Sequence, residues 1–116
     1  MNINCEEHRS AVVLSLEGDC TSEEVDALRR ALQPYLDRRE LSLVIDGREL
    51  ATIDSAGLEA FLQIADELRA TSGRLCLAGF AGDALAAFRL TRLDRRFEMR
   101  TTIEDAARSV SMGEVA

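Results

Sequence analysis

Residues 41–58 read LSLVIDGRELATIDSAGL. Its first part, 41–45, is almost continuously apolar and ends at Asp46-Gly47, a pattern typical of a parallel strand that is covered on both faces. We expect a loop over 48–53. The next residues, Asp54-Ser55-Ala56-Gly57, are typical of a helix start, with Asp54 or Ser55 as the N-cap. The stretch therefore predicts a buried strand, a loop and a helix.

Downstream of residue 58 the pattern alternates between helices and strands. The helix that starts there has an apolar stripe with a spacing of three and four, made of Leu58, Phe61, Leu62, Ala65 and Leu68. Thr71-Ser72-Gly73 ends it. The remaining chain predicts a strand at 74–80, a short helix from Ala81-Gly82-Asp83, a brief strand at 97–99 and a last helix with Ile103, Ala106, Ala107 and Val110 on its apolar face.

Upstream of residue 41 the chain predicts a hairpin. Residues 11–17 alternate between apolar and polar side chains, as a half-buried strand does, and 2–8 form a weaker strand candidate. His8-Arg9-Ser10 is short enough to join the two strands.

A helix follows this hairpin. Gly18-Asp19-Cys20-Thr21 interrupts the second strand, and Thr21-Ser22-Glu23-Glu24 fits a capping box. Val25, Leu28, Leu32, Tyr35 and Leu36 then recur at helical spacing. Pro34 lacks the N–H that a helix interior uses, so we expect a kink there, or a helix that stops near Gln33 and restarts.

The predicted order is β-β-α-β-α-β-α-β-α, an α/β fold. Strands that alternate with helices form a mainly parallel sheet, and the opening hairpin adds an antiparallel edge strand. We expect a single domain over 1–116, with 111–116 as a frayed tail.

Charge and composition exclude several classes of function. The net charge is −7, and all 14 basic residues are arginine. An acidic chain is poorly suited to bind nucleic acid or an anionic membrane surface, and without lysine it has no P-loop or Schiff-base lysine. It has no signal peptide at its start and no apolar run of about 20 residues, so we expect no membrane insertion and a cytoplasmic location.

Other chemistry finds little support. Cys5 and His8 point to opposite faces of a strand, which disfavours a metal site. Ser55 lacks the flanking glycine pair of a nucleophile elbow, and His8 is the chain's one histidine. Cys20, expected in a loop before a helix, has no partner cysteine nearby, which disfavours a redox role. We therefore expect no enzyme activity, no metal and no cofactor.

Ser55 is the residue to which the sequence gives a functional reading. A hydroxyl at the start of a helix is exposed, and the open N–H groups there accept a phosphate. A phosphoserine would add about −1.5 to −2 charges without unfolding the helix. A capping role alone explains the same residues, so both readings stay open.

The sequence resembles the STAS domains of the anti-sigma factor antagonist family. The resemblance lies in Leu43-Val44-Ile45-Asp46 with Ile53-Asp54-Ser55-Ala56-Gly57-Leu58, and it extends through Leu16-Glu17-Gly18-Asp19, the strand that begins at Gly73, residues 88–97 and Ile103-Glu104-Asp105-Ala106. It implies the STAS fold and a binding role. A member of this kind binds an anti-sigma factor that is also a GHKL-type serine kinase, and so releases a sigma factor. The kinase phosphorylates the serine at the position of Ser55, and a PP2C-type phosphatase reverses this.

The resemblance and the charge together predict an acidic partner-binding surface. Its residues are Asp19, Thr21, Ser22, Asp54, Ser55, Ala56, Gly57 and Leu58. Regulated members commonly carry Asp where this chain has Thr21. This departure favours an alternative, the STAS subunit of a phospholipid-transport ABC system, which needs no phosphorylation. A nucleotide-sensing or stressosome-like scaffold role and a homodimer are also left open.

Overall fold

The computed structural model describes residues 1–9 and 11–111. Its five strands are β1 (Asn2–Glu7), β2 (Val12–Cys20), β3 (Ser42–Ile53), β4 (Arg74–Ala78) and β5 (Glu98–Arg100). Its helices are α1 (Val25–Leu36), α2 (Ser55–Ala70), α3 (Gly82–Leu90) and α4 (Ile103–Ser111), with a 3₁₀ turn at Leu93–Arg95. This order confirms the predicted one. The expected frayed tail at 111–116 lies, beyond Ser111, outside the described residues.

The strands form one sheet in the order β1-β2-β3-β4-β5. The pair β1–β2 is antiparallel, and the three other pairs are parallel, which confirms the mixed, mainly parallel sheet. Alternate side chains of each central strand enter different clusters of buried residues. In β3, Leu43 and Ile45 pack with residues of α1, α2 and α3, whereas Val44 packs with residues of α4. Helices therefore cover both faces of the central strands, as the apolar run at 41–45 predicted.

The sheet extends further towards Ser55 than predicted. The expected loop at 48–53 is wrong, because β3 continues to Ile53. The predicted interruption of the second strand after Glu17 is also wrong, because β2 continues to Cys20. This last part of β2 pairs with the second half of β3, and Cys20 lies opposite Ile53. The two strands support each other here, and register shifts mark the irregular points. This pair of strands ends at Cys20 and Ile53, and Asp54 alone separates it from Ser55.

The predicted capping box of α1 is wrong, and of the two alternatives at Pro34 the stop near Gln33 is excluded. The helix begins at Val25, and its N-cap, Glu24, makes no side-chain capping bond, so the predicted capping box does not form. Thr21 instead accepts a hydrogen bond from the amide of Glu24 through its backbone carbonyl, at 2.9 Å. The helix also does not stop near Gln33: it includes Pro34 and ends at Leu36. Pro34 lies two residues before the end of α1, where its missing N–H costs the helix one backbone hydrogen bond.

Candidate functional site

Helix α2 begins at Ser55, and Asp54 is its N-cap. The backbone of Asp54 is extended (φ −97°, ψ −176°), and its Oδ1 accepts a hydrogen bond from the amide of Gly57 at 2.9 Å. Of the two capping residues that the sequence left open, the structure therefore selects Asp54. Because the cap is supplied by its neighbour, the hydroxyl of Ser55 is not needed to hold the helix start.

Ser55 is exposed at the first position of α2. Within the described part of the chain, its hydroxyl has no hydrogen-bond partner. The first turn of α2 contains no acidic residue, so the positive end of the helix dipole is balanced from outside by the Asp54 cap. The site thus combines a free, accessible hydroxyl with the end of a helix that tolerates added negative charge.

Asp54 also connects α2 to the segment that follows β2. Its second carboxylate oxygen, Oδ2, accepts a hydrogen bond from the amide of Ser22 at 3.0 Å. Hydrogen bonds from the amides of Gly57 and Ser22 hold the pKa of Asp54 below its ordinary value, and the bond from Gly57 has the larger effect. The side chain is therefore a carboxylate at neutral pH, and it holds two segments of the chain together.

The segment 19–22 lies beside the start of α2. Asp19 is exposed, and its Oδ1 accepts a hydrogen bond from the hydroxyl of Thr52 at 2.6 Å. Thr21 is half-buried and Ser22 is exposed. With Asp54, Ser55 and Ala56, these residues form one patch, which we call the Ser55 surface: Asp19, Thr21, Ser22, Asp54, Ser55 and Ala56.

Two predicted partner-binding residues lie beneath this surface. Leu58 is 6% exposed and belongs to the main core cluster. Gly57 is buried, and a Cβ atom on it would lie 2.6 Å from the carbonyl oxygen of Cys20 and 2.7 Å from Ile53 Cγ1. The absence of a side chain lets α2 pack closely against the ends of β2 and β3. Gly57 and Leu58 therefore position the Ser55 surface, and the other six residues provide it.

Cys20 is a residue of the site that the sequence placed wrongly. It lies at the end of β2 and is fully buried under Gly57, not in a loop. Burial raises the pKa of its thiol to about 11, and the nearby carboxylates of Asp54 and Glu24 add to the effect. A buried thiol with a raised pKa is a poor nucleophile. Cys20 is an even number of residues from Leu14 and Leu16, so on a continued strand it lies on the same buried face, and this spacing was the signal in the sequence.

Cys5 and His8 do not come together as metal ligands. The Cys5 thiol contacts the carbonyl oxygen of Ala31 at 3.9 Å, and His8 contacts Glu6 at 3.1 Å. Over residues 1–9 and 11–111, no three His, Cys, Asp or Glu side chains are grouped as a metal site requires. No helix in the same ranges is long and apolar enough to cross a membrane.

The fold is similar to those of several solved structures. An anti-sigma factor antagonist from Mycobacterium paratuberculosis has a TM-score of 0.84 at 24% identity, over 94% of this chain and 92% of that chain. The Bacillus cell fate determinant SpoIIAA in its phosphorylated form has a TM-score of 0.69 at 21% identity, over 99% and 100%. A sulfate transporter family protein from Wolinella succinogenes has a TM-score of 0.74 at 15% identity, over 90% and 87%. At these identities the likeness shows a shared fold.

The comparison of sequences gives the family directly. None of the curated proteins matches the chain with significant similarity. The family model of the STAS domain, however, matches residues 2–106, which is most of the chain. The motif residues, the element order and this match agree, and the chain therefore belongs to the STAS domain family.

Proposed function

We propose that the chain is an anti-sigma factor antagonist that is controlled by phosphorylation of Ser55. The observation that carries the proposal is the placement of Ser55: its hydroxyl is exposed, free of hydrogen bonds to the described residues, and next to the segment 19–22 through Asp54. The similar fold of SpoIIAA, solved in a phosphorylated form, supports it. In this role the chain is a cytoplasmic binding module and a kinase substrate, not an enzyme.

In the unmodified state, the Ser55 surface binds an anti-sigma factor of the GHKL serine kinase type. Asp19 and Asp54 make the surface acidic, so the partner presents arginine or lysine to it. A neutral hydroxyl at Ser55 allows the partner to pack closely over the start of α2. Occupied by the antagonist, the anti-sigma factor releases its sigma factor.

Phosphorylation ends this binding. The Ser55 oxygen forms a bond to the γ-phosphorus of ATP, the bond to ADP breaks, and the hydroxyl proton leaves to a base. The phosphate lies beside the Asp54 carboxylate and adds about −1.5 to −2 charges to an interface that had packed around a neutral group. A penalty of about 3 kcal/mol weakens binding more than a hundredfold. A PP2C-type phosphatase hydrolyses the phosphoserine and restores binding.

Binding to an anti-sigma serine kinase, isolated from native cytosol with the unmodified chain as bait, tests this function. We expect Ser55→Asp to bind at least tenfold more weakly than Ser55→Ala. Ser72→Asp is the matched control, because Ser72 is an exposed serine that follows the opposite end of α2. It adds the same charge and should bind like the wild type. Equal binding by Ser55→Asp and Ser55→Ala would show that charge at Ser55 does not control the interface.

A second function has one sequence feature in its favour. Thr21 stands where regulated members commonly carry Asp, and a subunit of a phospholipid-transport ABC system would need neither that carboxylate nor a modified serine. The similar fold of the sulfate transporter family protein is consistent with a transport setting. In this case the chain should co-purify with an ATPase and a permease, and no kinase should bind it.

A further inference from the structure

The segment from the end of α3 to β5 is basic, although the chain as a whole is acidic. Residues 89–100 contain five arginines and two acids, whereas the net charge of the chain is −7. All five arginine side chains are exposed. We call them the arginine surface: Arg89, Arg92, Arg95, Arg96 and Arg100.

Most of the arginine surface is not neutralised by the chain itself. Arg100 pairs with Glu98 at 2.9 Å. Among residues 1–9 and 11–111, the other four arginines make no ion pair. Of the nine arginines elsewhere in the chain, five contact a carboxylate, among them Arg29, Arg38 and Arg48 at 3.0 Å or less. Four guanidinium groups are therefore available to carboxylates of another molecule.

An open cleft lies within the same segment, between α3 and β5. Its volume is about 460 Å³, and Arg89 and Arg100 line it together with the carboxylates of Asp94 and Glu98. Its apolar part consists of Phe80, Leu85, Phe97 and Met99. The cleft thus offers an apolar side chain a place to enter, next to charged groups that fix its direction of approach.

Leu90 adds a second apolar feature. Its side chain is 85% exposed, and in the described part of the chain it is the one large hydrophobic residue that is so exposed. It directly follows Arg89, which lines the cleft. Arginine is enriched at protein interfaces, and Leu90 adds exposed apolar area next to Arg89.

This region is separate from the Ser55 surface. Arg96 lines a groove with Leu68 and Arg69, near the C-terminal end of α2, whereas Ser55 begins the same helix. At a rise of 1.5 Å per residue, the two ends of α2 are about 20 Å apart. A partner bound through Ser55 and a partner bound through the arginine surface therefore contact different parts of the molecule.

We propose that the arginine surface docks an acidic segment of a protein partner, with a large apolar side chain of that segment in the cleft. Carboxylates of the segment pair with the free guanidinium groups. A protein segment fits this surface better than nucleic acid does. A long polyanion would also be repelled by the acidic remainder of the chain. A short acidic segment is not, because salt screens charges that are more than a Debye length of about 10 Å away. Docking here does not depend on the state of Ser55.

A short synthetic peptide, with glutamates on both sides of a central Leu-Phe pair, serves as the probe. Titrated into ¹⁵N-labelled protein, it should shift the amide signals of residues 85–101 in a saturable way. Replacing Leu-Phe with Ser-Ser should weaken binding several-fold, because the cleft is then empty. Raising the salt from about 0.05 M to about 0.3 M should weaken it further.

A pair of charge-matched variants tests the location. Arg95→Glu with Arg96→Glu should weaken peptide binding at least tenfold. Arg30→Glu with Arg39→Glu makes the same change in net charge at exposed positions elsewhere and should change it less than twofold. Equal binding by both double variants, or amide shifts centred outside 85–101, would overturn the proposal. Two results would overturn the choice of occupant. One is that duplex DNA binds more tightly than the peptide, and the other is a dimer of the chain that the double variant Arg95→Glu with Arg96→Glu abolishes and the control double variant does not.

Discussion

The carboxylate of Asp54 accepts a hydrogen bond from the backbone amide of Ser22 at 3.0 Å, across 32 residues of sequence. The same carboxylate caps α2 through the amide of Gly57 at 2.9 Å. One side chain therefore orders the helix start that presents Ser55 and the loop beside it. The two bonds use different oxygens, which allows them to be separated by mutation.

Substitution of Asp54 should distinguish the cap from the bridge. Asn can accept the hydrogen bond from Gly57 through its one carbonyl oxygen, but its amide nitrogen cannot accept from Ser22. We expect Asp54→Asn to keep a Tm near that of the wild type while the Ser22 amide exchanges faster with solvent. Asp54→Ala should lose both bonds and lower the Tm as well. Unchanged exchange at Ser22 in Asp54→Asn, measured by NMR, would contradict the bridging role.

Gly57→Ala should destabilise the protein, although Ala is normally favoured over Gly in a helix by about 1 kcal/mol. The added Cβ would lie 2.6 Å from the carbonyl oxygen of Cys20, and a backbone atom at the end of β2 cannot move aside freely. Overpacking of this kind costs about 1–3 kcal/mol. Urea denaturation of the variant and the wild type measures the difference in the free energy of unfolding. A variant as stable as the wild type, or more stable, would show that α2 does not pack against β2 as described.

The local elements of this fold follow from the sequence, whereas the connections at the site do not. Alternation in 11–17 and the apolar stripe from Leu58 to Leu68 are local patterns, and a strand and a helix form at these places, although β2 continues to Cys20. The second half of β3 lacks such a pattern. It forms a strand because it pairs with the end of β2, a contact between residues that are far apart in sequence. Likewise, Asp54 was recognisable as a cap, but nothing near it in sequence indicated its bond to Ser22. The capping-box pattern at Thr21 failed because the helix begins later, at Val25.

Asp46 should make stability depend on pH. It is 5% exposed and accepts hydrogen bonds from Ser15 at 3.2 Å and from Arg48 at 3.0 and 3.1 Å. Burial alone would raise the pKa of Asp46, but the bonds from Arg48 and Ser15 outweigh it and lower the pKa below its ordinary value of 3.8. The folded state therefore favours the carboxylate, and its contribution to stability is lost as the pH falls below that value.

Asp46→Asn tests this by comparison with the wild type across pH. At neutral pH the variant should be less stable, because it lacks the charge that Arg48 contacts. As the pH falls from about 4 through the lowered pKa of folded Asp46, the difference should shrink, since the carboxylate is protonated first in the unfolded chain and then in the folded protein. The other carboxylates are common to both proteins and cancel in the difference. A constant difference in the free energy of unfolding would contradict the assignment to Asp46.

The three thiols should react at different rates. Burial raises the pKa of all three thiols, to about 11 for the buried Cys20 and Cys76, whereas Cys5 is half-buried and therefore accessible to a reagent. With a thiol reagent such as DTNB near pH 8, we expect Cys5 to react first and the other two to react after unfolding in urea. Cys5→Ser should remove the fast phase. A fast reaction that persists in Cys5→Ser would place Cys20 or Cys76 at the surface.

The intact mass of the chain, after incubation with ATP and a serine kinase isolated with the chain as bait, tests the phosphorylation of Ser55. We predict that the wild type gains a single phosphate, that peptide mapping locates it at Ser55, and that Ser55→Ala gains none while Ser72→Ala gains one. A wild-type chain that stays unmodified while the kinase is active on another substrate, or a Ser55→Ala chain that gains as much phosphate as the wild type, would contradict the account.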